Sequence, residues 1–276
     1  MAPRILLAGF LSVVLAPSAP PRASDDADEK KDEIAPVELA LEINVLRTLY
    51  YLKATPEQVQ AIQKLAKETA GPDKKRERGK VSKEYHQLLV DVRDALAQDD
   101  EERVEELEDQ LEELTITEAP ELDEAVELTD AARKHAPKLL KQFRTHQVAG
   151  FIGMHADQID DPLEKLQEAL GKVRGWQLAE WQAKRGELGE TIGLLVGGVD
   201  RAKAEKVRDA AIDLLAKART MKETEYDEKR ADLEREAERI AGKLGPTDVL
   251  RHFVEHALAE MLSNPRLSSA VEARLK

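Results

Sequence analysis

The chain has 276 residues, of which 42% are hydrophobic, 35% charged and 4% aromatic, a composition that fits one or two globular domains. Its 55 acidic and 42 basic residues give a formal net charge of −13, which argues against unaided binding to nucleic acid or to an anionic membrane surface. The lack of cysteine excludes disulfides, thiolate catalysis and Cys-based metal sites. Abundant Ala, Leu, Glu, Lys and Arg predict an all-α protein.

The first residues have the form of a secretory signal peptide. Arg4 precedes an apolar run over 5–16, and small residues and prolines follow it. The run is shorter than the roughly 20 residues of a membrane span. We therefore predict a signal peptide over 1–23 and an exported protein, periplasmic or extracellular, with no stable membrane span after cleavage. An uncleaved anchor is the alternative. Residues 24–35 predict a disordered acidic lead-in.

Apolar spacing of three and four residues predicts helices through residues 36–150, the first of two helical halves. Positions 37–45 also alternate like a strand, but the helix-forming residues around them favour a helix. The clearest helix start is Thr55-Pro56-Glu57-Gln58. Here Thr55 caps the helix and Gln58 reaches back to the backbone of Thr55 in a capping box. Further helices are predicted over about 85–96, 120–132 and 137–148.

An acidic segment lies within this half. Residues 99–113 carry ten acids and one base, while apolar residues keep a spacing of three or four at Val104, Leu107, Leu111 and Leu114. This pattern predicts an amphipathic helix with an acidic outer face. Such runs are usually solvated surface, but the face could also attract the basic segment 74–80 or a partner.

Residues 151–276 are the predicted second half. Tandem glycines spaced four apart predict close packing of one helix against another: Gly189, Gly193 and Gly197. Asp200 is a cap for a single long helix over about 200–244, which Gly245-Pro246 ends. Its apolar positions thin out through 222–230, which indicates exposure or a break. A last helix follows from about Thr247.

The string His252-Phe-Val-Glu255-His256 has the form of an inverted zinc-protease motif. Residues four apart share a helix face, so both imidazoles could bind one zinc while Glu255 activates a water. Those enzymes need a third protein ligand, and only Glu260 and Glu272 remain downstream as acids. Helix-surface histidines are the simpler interpretation, so we assign no cofactor and no catalytic residue.

The segment Leu49–Leu65 (LYYLKATPEQVQAIQKL) resembles the LTxxQ-motif proteins, the Spy-like periplasmic helical chaperones and stress sensors. Thr55 and Gln58 match the motif, and Ala54 replaces its Leu. The second copy usual in that family has no match at Leu128-Thr129 or at Leu114-Thr115. The resemblance implies an exported all-α protein that binds unfolded or partner proteins on a helical surface without catalysis.

These observations together predict an elongated helical bundle in two halves that works by protein–protein contact, chaperone-like or related to envelope stress. Two alternatives remain open. One is a zinc-dependent hydrolase or metal-binding protein that uses His252, Glu255 and His256. The other is a structural envelope spacer built on the long helix over 200–244.

Overall fold

A computed structural model describes residues 34–72, 81–118 and 126–276 of the chain. These ranges contain helices and no strand, so the all-α fold class is confirmed. The helices are α1 (Pro36–Tyr51), α2 (Pro56–Thr69), α3 (Lys83–Gln98), α4 (Glu101–Glu118), α5 (Asp130–Leu140), α6 (Thr145–Met154), α7 (Pro162–Lys172), α8 (Leu178–Gly197), α9 (Arg201–Thr220), α10 (Glu223–Ala241), α11 (Pro246–Ser263) and α12 (Leu267–Arg274). The predicted signal peptide and almost all of the lead-in lie outside the described residues. None of the described helices combines the length and apolarity that crossing a membrane requires.

α1 is enclosed on most of its sides. It packs against α3, α6, α11 and α12. Its buried residues are Val37, Leu39, Leu41, Glu42, Ile43, Val45, Leu46 and Leu49. A helix surrounded in this way needs apolar residues around most of its circumference. The strand-like alternation over 37–45 is therefore a consequence of enclosure, and the prediction of a helix here is confirmed.

The first bundle consists of α1–α6 together with the last two helices, α11 and α12, around one hydrophobic cluster. Hydrogen bonds join its distant parts: Asn264 Nδ2 donates to the Leu41 carbonyl at 2.9 Å, and Gly71 N donates to the Ser263 carbonyl at 2.7 Å. The division predicted at residue 150 does not match this grouping. The grouping differs because α11 and α12 supply apolar contacts that cover α1 and that residues 36–150 do not provide.

The second bundle consists of α7–α10 around its own hydrophobic cluster. The single helix predicted over 200–244 is wrong, because α9 ends at Thr220 and α10 begins at Glu223. Met221 between them has an extended backbone, with φ −73° and ψ 143°. This break turns the chain back, so that the apolar residues of α10 reach the cluster. A straight helix would have carried them away from it.

α5 differs from the sequence prediction at both ends. Residues 119–125 are outside the described part of the chain, and Thr129 caps a helix that begins at Asp130. The sequence predicts that the helices are separated or kinked at Pro137, and the structure places Pro137 inside α5. The backbone donor that proline lacks costs one hydrogen bond near the end of the helix. Burial of Ala136 and Leu139 beside α11 holds the helix through this position.

The tandem glycines lie where α8 contacts α9, as the sequence predicts. A Cβ added at Gly189 would lie 2.7 Å from Ile212 Cγ1, and one at Gly197 would lie 2.5 Å from Ala204 Cα. As the position moves forward along α8, its neighbour moves backward along α9, so the two helices are antiparallel. The missing side chains let the two backbones approach more closely than any other residue type would allow.

Buried Glu42 connects three helices of the first bundle. Its side chain has no exposed surface and accepts hydrogen bonds from Arg93 Nε at 2.6 Å and Arg266 Nη2 at 2.7 Å. Arg93 belongs to α3, and Arg266 is the residue directly before α12. Burial raises the pKa of Glu42, but hydrogen bonds from Ser269, Arg266 and Arg93 outweigh burial and lower the pKa below its usual value. The carboxylate therefore stays ionised inside the bundle.

Replacing Gly197 by Ala should destabilise the second bundle by about 1–3 kcal/mol, because the new methyl group overpacks the contact with Ala204. Gly186 is the matched control, since it lies in the same helix and a Cβ there meets nothing within 4 Å. Gly186→Ala should leave stability unchanged or raise it by up to about 1 kcal/mol. Chemical denaturation followed by circular dichroism measures both. Equal effects of the two changes would contradict the close approach.

Glu42→Gln should lower the free energy of unfolding by about 3–5 kcal/mol near neutral pH, because it leaves two arginines without their buried partner. Glu236→Gln, which removes a surface partner of Lys217, should cost less than about 1 kcal/mol. A carboxyl whose pKa is lower in the folded state gives stability that is present above its unfolded pKa and lost as the pH falls. The difference between wild type and Glu42→Gln should therefore shrink on acidification. A difference that is independent of pH would argue against this role of Glu42.

Candidate binding surface

α4 packs on the first bundle through one side. Val104, Leu107 and Leu111 are buried against the cluster. The helix runs antiparallel to α3, since the hydroxyls of Tyr85 and Thr115 lie 3.1 Å apart near the start of α3 and the end of α4. The predicted amphipathic helix is therefore confirmed, and its other side is left to the surface.

We call this other side of α4 the acidic face. Its exposed residues are Glu101, Glu102, Arg103, Glu105, Glu106, Asp109, Gln110, Glu113, Ile116 and Thr117. Several acids stand four apart, which places like charges next to each other on the helix and makes them repel. Arg103 Nη2 lies 3.7 Å from Asp91 Oδ1 of α3, so the one base of this face already forms an ion pair with an acid of another helix. The face thus presents a concentrated negative charge to its surroundings.

Glu108 is the acid of α4 that turns inward. Its carboxylate accepts hydrogen bonds from Arg47 Nε at 2.8 Å and from the Tyr51 hydroxyl at 2.6 Å, both on α1. Burial raises the pKa of Tyr51 far above its ordinary value, and the charge and hydrogen bond of Glu108 raise it further. Tyr51 therefore remains a proton donor to Glu108. The pair fixes the rotation of α4 and hence the direction in which the acidic face points.

Ile116 interrupts the charge of the acidic face near its C-terminal end. With 74% of its surface exposed, it is the most exposed large hydrophobic residue of the described chain. Toward the other end, Leu107 contributes to a shallow depression of about 460 Å³ whose other walls are polar. These walls are Asp100, Glu102, Arg103, Glu106 and Gln110. The acidic face therefore offers carboxylates and one exposed apolar residue, Ile116, and its depression is too shallow to enclose a small molecule.

The structure gives Thr55 and Gln58 a definite local role. Gln58 Oε1 accepts from Thr55 N at 2.8 Å, and Thr55 Oγ1 accepts from Gln58 N at 3.4 Å, which is the predicted capping box. Gln147 at the start of α6 extends it: its Nε2 donates to Gln58 Oε1 at 3.0 Å and to the Lys53 carbonyl at 2.8 Å. We call the hydrogen-bonded group of Thr55, Gln58 and Gln147 the node. It joins the end of α1 to the starts of α2 and α6.

The zinc-protease string forms contacts with three different partners. His252 Nδ1 lies 2.9 Å from the Leu195 carbonyl, and His256 Nε2 lies 3.2 Å from Glu260. Burial raises the pKa of Glu255, partly offset by nearby positive charges of which Arg251 is the largest contributor. Within the ranges that the structure describes, no three His, Asp or Glu side chains converge as metal ligands would. The zinc hypothesis stays a prediction.

Sequence reasoning missed the two inward acids, Glu42 and Glu108, and the amide of Gln147 that extends the capping box. Glu42 stands between buried Leu41 and Ile43, and Glu108 follows buried Leu107, so each lies on the buried side of its helix. An acid on the apolar side of a helix could have indicated a buried interaction, because a buried carboxylate requires a cationic or hydrogen-bonding partner. Gln147 gave no comparable signal, since nothing in its sequence surroundings points to the end of α1.

Comparison with known proteins gives no family for this chain: no family model matches it, and neither a curated protein nor a solved structure does. The resemblance to the LTxxQ-motif proteins therefore stays a prediction.

Gln58→Ala should destabilise the first bundle by about 1–3 kcal/mol, because it removes the acceptor of the Thr55 backbone N–H in the capping box and leaves the buried Gln147 amide with fewer partners. Gln63→Ala, at an exposed position of the same helix, should change stability by less than about 0.5 kcal/mol. Urea unfolding of the two variants beside wild type measures the difference. If Gln63→Ala cost as much as Gln58→Ala, the node would have no special importance.

Proposed function

We propose that this protein is an exported, non-catalytic binding protein that contacts partner or unfolded proteins through the acidic face of α4. The observation that carries the proposal is the exposure of Ile116 on a face of concentrated negative charge. Opposite charges raise the rate of encounter, and apolar contact then prolongs the complex. A positively charged segment with apolar residues, typical of an unfolded basic protein, fits this surface.

Several features of the described chain support a surface rather than an enclosed site. The buried carboxylates Glu42 and Glu108 are held by arginines and a tyrosine, so they are used in packing helices together. The resemblance at Thr55 and Gln58 points to the same class of function, a helical chaperone. Charge also gives the proposal a direct signature, because binding through exposed carboxylates weakens as salt screens them.

The purified chain without residues 1–23 should suppress aggregation of a positively charged client, such as reduced lysozyme, more strongly than that of a negatively charged one, such as reduced α-lactalbumin. Light scattering over time measures both. Suppression of the basic client should weaken as salt is raised. A chain that suppresses neither client at low salt would disprove the proposed function.

Two variants of equal net charge locate the contact. The combined change Glu105→Gln, Glu106→Gln, Asp109→Asn removes three charges from the acidic face, and Glu223→Gln, Glu228→Gln, Glu238→Gln removes three from exposed positions of α10. We expect the first to lose most of the suppression and the second to retain it.

Ile116→Ser should weaken suppression, whereas Leu178→Ser, at a residue 57% exposed on the second bundle, should not. Equal losses within either pair would show that the acidic face is not the contact.

A further inference from the structure

The second bundle is an insertion in the first, and the chain enters and leaves it at one end. α10 runs antiparallel to α7, since the Tyr226 hydroxyl near the start of α10 donates to the Leu170 carbonyl near the end of α7 at 3.2 Å. The start of α7 and the end of α10 therefore lie at the same end of the bundle. Residues 159–161, which follow a short 3-10 turn (Ala156–Gln158) after α6, and residues 242–245, which precede α11, join this end to the first bundle.

A third attachment is made by residues 195–200, which are the last residues of α8 and the turn that leads to α9. His252 Nδ1 of α11 donates to the Leu195 carbonyl at 2.9 Å, because a carbonyl only accepts. Arg133 Nη1 of α5 donates to the Val199 carbonyl at 3.2 Å. His252 follows Gly245 by seven residues, which is about 10 Å along α11. The turn therefore grips the first bundle close to the place where the chain returns to it.

The grip depends on a close approach of backbone and ring. Gly198 has φ +58°, and a Cβ there would lie 2.8 Å from His252 Cδ2. Leu195 is buried here although it belongs to neither hydrophobic cluster. Val199 of the turn packs against the hydrophobic cluster of the first bundle. The attachment therefore combines the burial of Leu195 and the packing of Val199 with hydrogen bonds from two side chains to backbone carbonyls.

We propose that residues 195–200 are a releasable latch. While His252 and Arg133 hold it, the second bundle keeps one orientation on the first; when they release it, the second bundle swings as an arm about 159–161 and 242–245. The latch involves far fewer buried residues than the hydrophobic cluster of either bundle, so it opens at a lower cost than either bundle unfolds. Because α8 is about 30 Å long, a small rotation at the latch moves the far end of the arm considerably. This inference is independent of the proposed binding function.

The latch is tested by measuring the distance between two spin labels in the full-length protein. The protein has no cysteine, so Ser268→Cys in α12 and Glu228→Cys in α10, both at exposed positions, give one label on each bundle. The labelled protein should show one narrow distance distribution by double electron–electron resonance. Adding Gly198→Ala, His252→Ala or Arg133→Ala should replace it by a broader distribution shifted in distance.

Gly186→Ala is the control for Gly198→Ala. Gly186 lies in α8, away from the latch and from both connections, and a Cβ there would meet nothing within 4 Å. The control should keep the narrow distribution, and circular dichroism should show unchanged helix content in every variant compared. If Gly198→Ala loses helix, His252→Ala and Arg133→Ala decide the question. A narrow distribution in both of these, or a broad one already present in the labelled parent, would overturn the latch.

Discussion

The burial of one ionised carboxylate sets the arrangement of the first bundle. Glu42 stands in the middle of the enclosed helix α1, where an unpaired charge would be very costly. Arg93 and Arg266 make it tolerable, and they lie far apart in the chain. α1 can therefore be buried only if α3 and α12 are both in place. The amide of Asn264, which donates to the Leu41 carbonyl, reinforces the same junction.

The two bundles are held together internally by different means. In the first, charged and amide side chains reach across between helices, and each such contact fixes both a position and a rotation. Glu108 is an example, because its bond to Tyr51 decides that the remaining acids of α4 face outward. In the second bundle, the glycines of α8 lie directly against α9, so close packing rather than charge determines this contact. Buried charged side chains thus fix the positions of helices in the first bundle, whereas the acids of α4 that face outward remain on the surface.

Local features of the fold could be predicted from the sequence, and distant ones could not. The cap at Thr55, the amphipathic pattern of α4 and the close approach at Gly197 each depend on residues within a few positions of one another. The break at Met221 was visible only as a thinning of apolar residues, since a helix with few apolar positions can be straight or interrupted. The return of α11 and α12 to α1 left no sign in any local pattern. It depends on pairs such as Glu42 and Arg266, which lie 224 positions apart.

Of the candidate surface, the sequence predicted the charge but not its geometry. Ten acids within residues 99–113 were evident, whereas the inward turn of Glu108 follows from Arg47 and Tyr51 on another helix. The exposure of Ile116 is likewise a tertiary property, because its neighbours in sequence do not reveal that the packed side of α4 ends before it.

The placement of the last two helices has a consequence for the order in which the protein assembles on the ribosome. Residues 162–245 form a contiguous unit whose contacts are comparatively local, so they can fold as soon as they emerge. α1 is made much earlier, yet it remains without part of its cover until residues 253–271 have been synthesised. The first helix of the core to be synthesised is therefore the last to be fully covered, and a chain that stops short by only a few dozen residues leaves apolar side chains of α1 exposed.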